Sequence, residues 1–269
     1  MRGRRGVPVV LVHGWRSHPG IWKPMMMALD REGYRSFAFD HSGMGDEGPD
    51  EIARALQEYI RTVRDEIGYS GPVDLVCHSM GACIARYLLE VIDGGRRAER
   101  VRRLIALGPP NNGSAMAEIF HDPVHGPEIL QRLAGVFVPR RYDPLEDVIV
   151  QAFRPGSPFL ARLAAAGQRE GTDYRLILTE NRTGDPAFFP FFDGKTWERG
   201  ADGAWRTTHA GDGIVPHADS VIPGAGVEVL APDPGSGGDP SAYCHLRLPQ
   251  NPEVIGRVLA RLAVPPPGD

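Results

Sequence analysis

Ser79 stands in the run Asp74-Leu-Val-Cys-His-Ser-Met-Gly-Ala82, where the chain offers its clearest chemistry. The hydrophobic stretch 72–77 reads as a strand and 82–92 as a helix, so the serine falls on the turn between them. Such a turn lifts a hydroxyl clear of both elements. It is also sharp, and tolerates only small side chains two residues before and two after the serine. Gly81 meets the second need; Cys77, small although not glycine, meets the first. A serine in this place can also be a plain helix N-cap. The strand and helix around it favour the nucleophile. A serine hydroxyl attacks poorly at neutral pH, so an imidazole must take its proton and a carboxylate must hold that imidazole in one tautomer.

The elements that would position such groups alternate along the first half. The β-branched run 7–14 reads as a buried strand ending in glycine. Ile21, Trp22, Met25, Met26 and Leu29 fall at helical spacing over 20–31. Residues 34–40 alternate as a strand. Ile52, Leu56, Ile60, Val63 and Ile67 make 50–67 an amphipathic helix. A fourth strand is expected over 101–107, after those at 7–14, 34–40 and 72–77. The alternation predicts a mostly parallel central sheet with helices on both faces. Pro- and Gly-rich sequence over about 109–172 reads as a helical cap or lid inserted into a single domain spanning 1–269. Strands are expected again at 174–179 and 227–230, with a last helix at 252–262. An aromatic-rich excursion over 181–210 carries Phe188, Phe189, Phe191, Phe192, Trp197 and Trp205. The excursion and the cap together suggest an apolar substrate site, or plain core packing. The segment 265–269 reads as a frayed tail, and 233–240 as a flexible loop.

Four motifs together resemble the bacterial lipases and carboxylesterases of the α/β-hydrolase superfamily. They are His13-Gly14 after the first strand, Cys77-His78-Ser79-Met80-Gly81, Gly108-Pro-Pro-Asn-Asn-Gly-Ser114 and Asp212-Gly213-Ile-Val-Pro216. The resemblance spans nearly the whole chain, and implies the α/β-hydrolase fold in a compact form without its usual first two strands. It implies the order serine, acid, histidine. On that order the base is His245, after the last strand and before the last helix; His217 follows the acid motif too soon. The acid is Asp212, with Asp185 as rival and Asp219 as a weaker one, since Asp-Gly is also an ordinary turn. The oxyanion donors would be the N–H groups of Met80 and Trp15. Trp15 and His78 are expected to line the substrate site, and His13 to belong to the oxyanion wall. His18, His41, His121, His125 and His209 read as solvated or packing residues.

Composition removes other classes. Thirty basic and 34 acidic side chains leave a net charge of −4, with no excess that would draw nucleic acid or an anionic membrane. No apolar run is long enough for a signal peptide or stable membrane insertion, which favours a cytoplasmic protein without settling its compartment. Three cysteines, Cys77, Cys83 and Cys244, do not make a disulfide framework. No metal site is legible, and Gly43-x-Gly45 lacks the rest of a dinucleotide fingerprint, so no cofactor is expected. The expected function is hydrolysis of a carboxylic ester or lipid through an acyl-enzyme. The same machinery could instead serve a thioester, amide, lactone or acyl transfer. A dehalogenase would need Asp in place of Ser79, and an inactive binding protein would not need the ordered trio.

Overall fold

A computed structural model of the chain describes residues 5–233, 235 and 238–264. The tail expected at 265–269 and part of the loop at 233–240 lie outside the described residues.

Six strands form one parallel sheet: β1 (Arg5–Val12), β2 (Tyr34–Phe39), β3 (Val73–His78), β4 (Val101–Leu107), β5 (Asp173–Thr179) and β8 (Gly226–Leu230). Their spatial order is β2-β1-β3-β4-β5-β8. All six coincide with strands expected from the sequence, within a residue or two at the ends. The central strands bury both faces, so each carries an unbroken apolar run, as at 9–12, 75–77 and 104–107, with the charged Asp74 and Arg103 buried beside them. Val10, Val12, Leu75 and Cys77 face one core, together with Ile52, Leu56 and Ile60 of α2 (Pro49–Glu66). Val9, Leu11, Val76 and Ile105 face the other. There they meet Met25 and Leu29 of α1 (Lys23–Arg31) and Val254 and Val258 of α9 (Pro252–Ala263). Pro49 at its first turn, followed by Asp50 and Glu51, starts α2 where a helix N-terminus favours proline and negative charge.

The helix after β3 begins at once. It is α3 (Met80–Arg86), two residues earlier than the sequence suggests, and it runs on as wider π-type turns over Tyr87–Ile92. Between β4 and β5 lie four short helices: α4 (Ala115–Ile119), α5 (Gly126–Leu133), α6 (Val148–Ala152) and α7 (Pro158–Ala166). Ser114, Asp147 and Ser157 cap three of them through side-chain oxygens. The excursion after β5 holds a hairpin that sequence reasoning missed: β6 (Thr196–Arg199) pairs antiparallel with β7 (Trp205–Thr208). The short helix α8 (His217–Ser220) follows it. No helix among the described residues is long and apolar enough to cross a membrane.

Candidate active site

The chain leaves β1 toward β2 on one side and returns to β3 on the other. The adjacent C-terminal ends of β1 and β3 are therefore the switch point at which open parallel sheets form a crevice. Val12 pairs with Cys77. Gly14 and Ser79 follow two residues beyond, and they touch: a Cβ on Gly14 would lie 2.9 Å from the Ser79 Cβ. Ser79 has φ 54° and ψ −129°, a conformation that non-glycine residues rarely hold. Its N–H donates to the Leu107 carbonyl at 2.9 Å, which fastens the turn to β4. Gly81 must be glycine, since a Cβ there would lie 2.5 Å from the His13 carbonyl oxygen. Cys77 is wholly buried in β3.

Three residues far apart in sequence meet at this turn. His245 Nε2 lies 2.9 Å from Ser79 Oγ, and His245 Nδ1 lies 2.7 Å from Asp212 Oδ2. The carboxylate can only accept here, so Nδ1 carries the proton and Nε2 is free to accept from the serine. Both side chains of the His–Asp pair are about 3% exposed, so little water competes. Asp212 Oδ1 accepts from the N–H groups of Ile214 at 3.0 Å and Val215 at 2.7 Å, leaving Oδ2 for the imidazole. The His245 N–H donates to the Asp212 carbonyl at 2.8 Å, a second link between the same two residues. Gly108, at the end of β4 with φ +54°, makes the space: a Cβ on it would lie 2.5 Å from Asp212 Oδ2.

The rival acids and the other histidine are engaged elsewhere. Asp185 caps a short turn through the Ala187 N–H. Asp219 accepts from the Ala115 N–H at 2.7 Å, and burial pushes its carboxyl up to about 7. His217 Nε2 donates to the Thr179 carbonyl.

The loop carrying Asp212 is held by residues that sequence reasoning missed. Thr196 of β6 accepts from the Gly213 N–H at 2.8 Å, and Phe189 packs where a Gly213 Cβ would be. Asn111 donates to the Ser220 carbonyl, and Asn112 to those of Ala218 and Val221. Of the two readings of the aromatic excursion, the structure favours core packing. None of its six aromatics lines the cavity beside Ser79. Phe188, Phe189 and Phe192 are instead buried in the core. The two asparagines of the Pro-Pro-Asn-Asn loop were a readable hint of an anchor, though not of what they would hold.

His13 is buried and braces the loop after β1. Its Nδ1–H donates to the Gly14 carbonyl at 3.0 Å, while Nε2 accepts from the His41 N–H. The His41 ring stacks on it at 3.7 Å and donates back to the His13 carbonyl. Thus His41, expected to be an ordinary solvated or packing residue, is half of a buried pair. Burial, and then the neighbouring His41, push His13 down to about 4, so the ring is neutral near pH 7. The Gly14 carbonyl shares one peptide plane with the Trp15 N–H. Fixing one fixes the direction of the other. The Met80 N–H is the first of α3 and has no acceptor within its helix.

His78 is buried against the histidine loop. Its Nε2–H donates to the His245 carbonyl at 2.9 Å, and the two rings lie 4.7 Å apart. Burial, and then His245, hold it well below the usual histidine range.

Beside Ser79 opens a cavity of about 270 Å³, whose walls are mainly apolar. Trp15, Met116, Phe120, Phe137, Val150 and Phe153 supply much of the wall, and His78 also borders it. Most of these residues come from the stretch between β4 and β5.

A family model described as the alpha/beta hydrolase fold matches residues 7–173, well over half of the chain. The chain belongs to the α/β-hydrolase family. The mature Bacillus licheniformis lipase BlEst2 shares its fold with a TM-score of 0.66 at 18% identity, covering 97% of this chain and 94% of that one. The metagenomic carboxyl esterase MGS0156 does so with a TM-score of 0.58 at 18% identity, covering 96% and 77%. The non-heme chloroperoxidase CPO-A1 of Kitasatospora aureofaciens is 34% identical over 94 residues. That match spans 31% of this chain and only about a third, 32%, of that protein's length.

Proposed function

We propose that the chain is a serine hydrolase of carboxylic esters, working through an acyl-enzyme. The observation that carries this reading is the hydrogen-bonded series Ser79–His245–Asp212, set on a strained turn beside an apolar cavity. Ser79 Oγ attacks the ester carbonyl while its proton passes to His245 Nε2. The carbon–oxygen bond to the alcohol then breaks, and the alcohol leaves with the proton from Nε2. Water gives a proton to Nε2 and attacks the acyl carbon. The acid departs, and Ser79 regains its proton. Asp212 orients His245 and stabilises the imidazolium. The N–H groups of Trp15 and Met80 receive the negative charge that develops on the carbonyl oxygen. Trp15 and His78 border the bound substrate. The stretch 109–172 acts as the cap over it. The partner required is an ester or lipid with an apolar acyl group, since the cavity wall is apolar.

The test is turnover of p-nitrophenyl butyrate and p-nitrophenyl palmitate by the wild type and Ser79→Ala. Hydrolysis abolished by the substitution supports the reading, and the ratio of the two rates separates esterase from lipase. If the folded wild type turns over neither ester yet is labelled at Ser79 by a serine-directed phosphonate, the acyl bond is of another kind. No labelling leaves a binding protein.

A further inference from the structure

Arg16 follows the residue whose N–H faces the oxyanion, and it does so in a left-handed conformation, φ +50°. Arginine rarely adopts that backbone, so something must hold it. Two contacts do. Its guanidinium Nη2 donates to Asp147 Oδ2 at 3.1 Å. The same guanidinium lies 5.0 Å from the Trp15 ring centroid and 5.1 Å from that of Tyr142, so its charge is shared between two aromatic faces. Asp147 is only 6% exposed at its side chain. Its other oxygen accepts from the Val150 N–H at 3.0 Å and caps α6, whose Ile149 and Val150 form part of the cavity wall. Trp15 also packs its edge against Phe137, 5.4 Å between centroids, and Phe137 lines the cavity too.

One side chain therefore joins two segments 131 residues apart in sequence. On one side is the loop that carries the Trp15 N–H. On the other is the wall that shapes the acyl site. We propose that Arg16 is a positioning residue that locks these two together, so that the oxyanion donor is held in place only while the 137–150 wall is seated. The proposal rests on the ester-hydrolase reading for its effect on rate, but not for the coupling itself. An arginine suits this task better than a lysine. Its planar group can stack on two rings and still donate to a carboxylate.

The experiment compares wild type, Arg16→Ala, Arg16→Lys, Asp147→Asn and the double variant Arg16→Ala/Asp147→Asn. Asparagine can still cap α6, so Asp147→Asn removes the ion pair with least harm to the fold, and carries the test if Arg16→Ala does not fold. Removing an oxyanion donor outright costs about 10²–10³ in kcat, so loosening one is expected to lower kcat on p-nitrophenyl butyrate about ten- to a hundredfold. KM should stay within about threefold, because the acyl wall still binds. The double variant should match the worse single one, and Arg16→Lys should recover part of the loss. Amide hydrogen exchange should rise together at 14–18 and at 134–150 in Arg16→Ala. A raised KM with unchanged kcat would show that Arg16 only touches substrate, and would overturn the proposal. So would faster exchange confined to one of the two segments, or losses that multiply in the double variant. A wild type inactive on all esters would sink the ester reading, while the exchange experiment still decided the coupling.

Discussion

Replacing Gly108 with alanine should disable the site while leaving the fold standing. The glycine has φ +54°, and its added methyl would lie 2.5 Å from Asp212 Oδ2, 3.0 Å from Leu248 Cδ1 and 3.3 Å from His245 Nδ1. The first of these is 0.9 Å short of the 3.4 Å at which ordinary contact begins. Asp212 cannot yield freely, because Ile214 and Val215 N–H groups hold its other oxygen. If the carboxylate retreats by that amount, its 2.7 Å bond to Nδ1 opens to about 3.6 Å, beyond hydrogen-bonding range. The backbone cost of alanine in a left-handed conformation is about 1–2 kcal/mol. Crowding of the packed site adds about 1–3 kcal/mol. A total of about 2–5 kcal/mol is within the stability of most domains, about 5–15 kcal/mol, so the variant should fold. The loss of kcat/KM should approach the ~10⁴ that follows from disabling the acid of a Ser–His–Asp site. The assay is kcat/KM on p-nitrophenyl butyrate, beside guanidinium melts of both proteins. A folded Gly108→Ala protein within about twofold of wild-type activity would refute both the steric reasoning and the role of the Asp212–His245 bond.

Asp212→Asn should keep the thermal midpoint and lose about 10⁴ in kcat at neutral pH. The amide oxygen stays with Ile214 and Val215, its NH₂ faces Nδ1, and the proton is driven onto Nε2, where it blocks transfer from Ser79. Retention of a tenth of the activity would show that another group serves as the acid. His13 gives a stability profile with a definite sign. Its pKa drops from 6.5 to about 4 on folding, so the unfolded chain binds the proton first as pH falls. The stability this group contributes is present above pH 6.5 and drains away between there and about 4, by up to about 3 kcal/mol, then changes no further. Urea unfolding at several pH values should give a shallower slope for His13→Asn, and equal slopes would count against a buried neutral ring. Asn111→Ala should cost about 2–4 kcal/mol, because it strips a partner from buried Arg86 and leaves the Ser220 carbonyl unpaired. A loss below about 1 kcal/mol in chemical denaturation would mean that water replaces the amide.

The strands could be read because parallel strands buried on both faces carry unbroken apolar runs, as 9–12 and 75–77 are. The helix at 49–66 could be read because only one of its faces is buried. The hairpin of β6 and β7 escaped for the converse reason. Each strand is four residues long, and Thr196 alone of the eight residues is buried, so neither shows a usable alternation. The early start of α3 was hidden because a strained turn passes into helix with no loop between. The role of the aromatic excursion was equally hidden. A run of Phe and Trp looks the same whether it lines a cavity or backs a loop.

Ser79 itself is a local matter. A strand, a tight turn and a helix within ten residues dictate small neighbours at 77 and 81 and expose the hydroxyl, and these constraints are written where they act. That His245 and Asp212 arrive at 2.9 and 2.7 Å is not local. His245 lies 166 residues from Ser79 and 33 from Asp212, and chain order, which set His217 aside, left Asp185 and Asp219 open beside Asp212. The sheet decided it, by setting the ends of β1, β3 and β4 side by side, where Gly14 and Gly108 leave room for the groups that meet there. The joining of Arg16 to Asp147 is of the same kind. Residue types determine which contacts a chain can make, but which of them form depends on the packing of segments far apart in sequence, and only the folded chain holds that information.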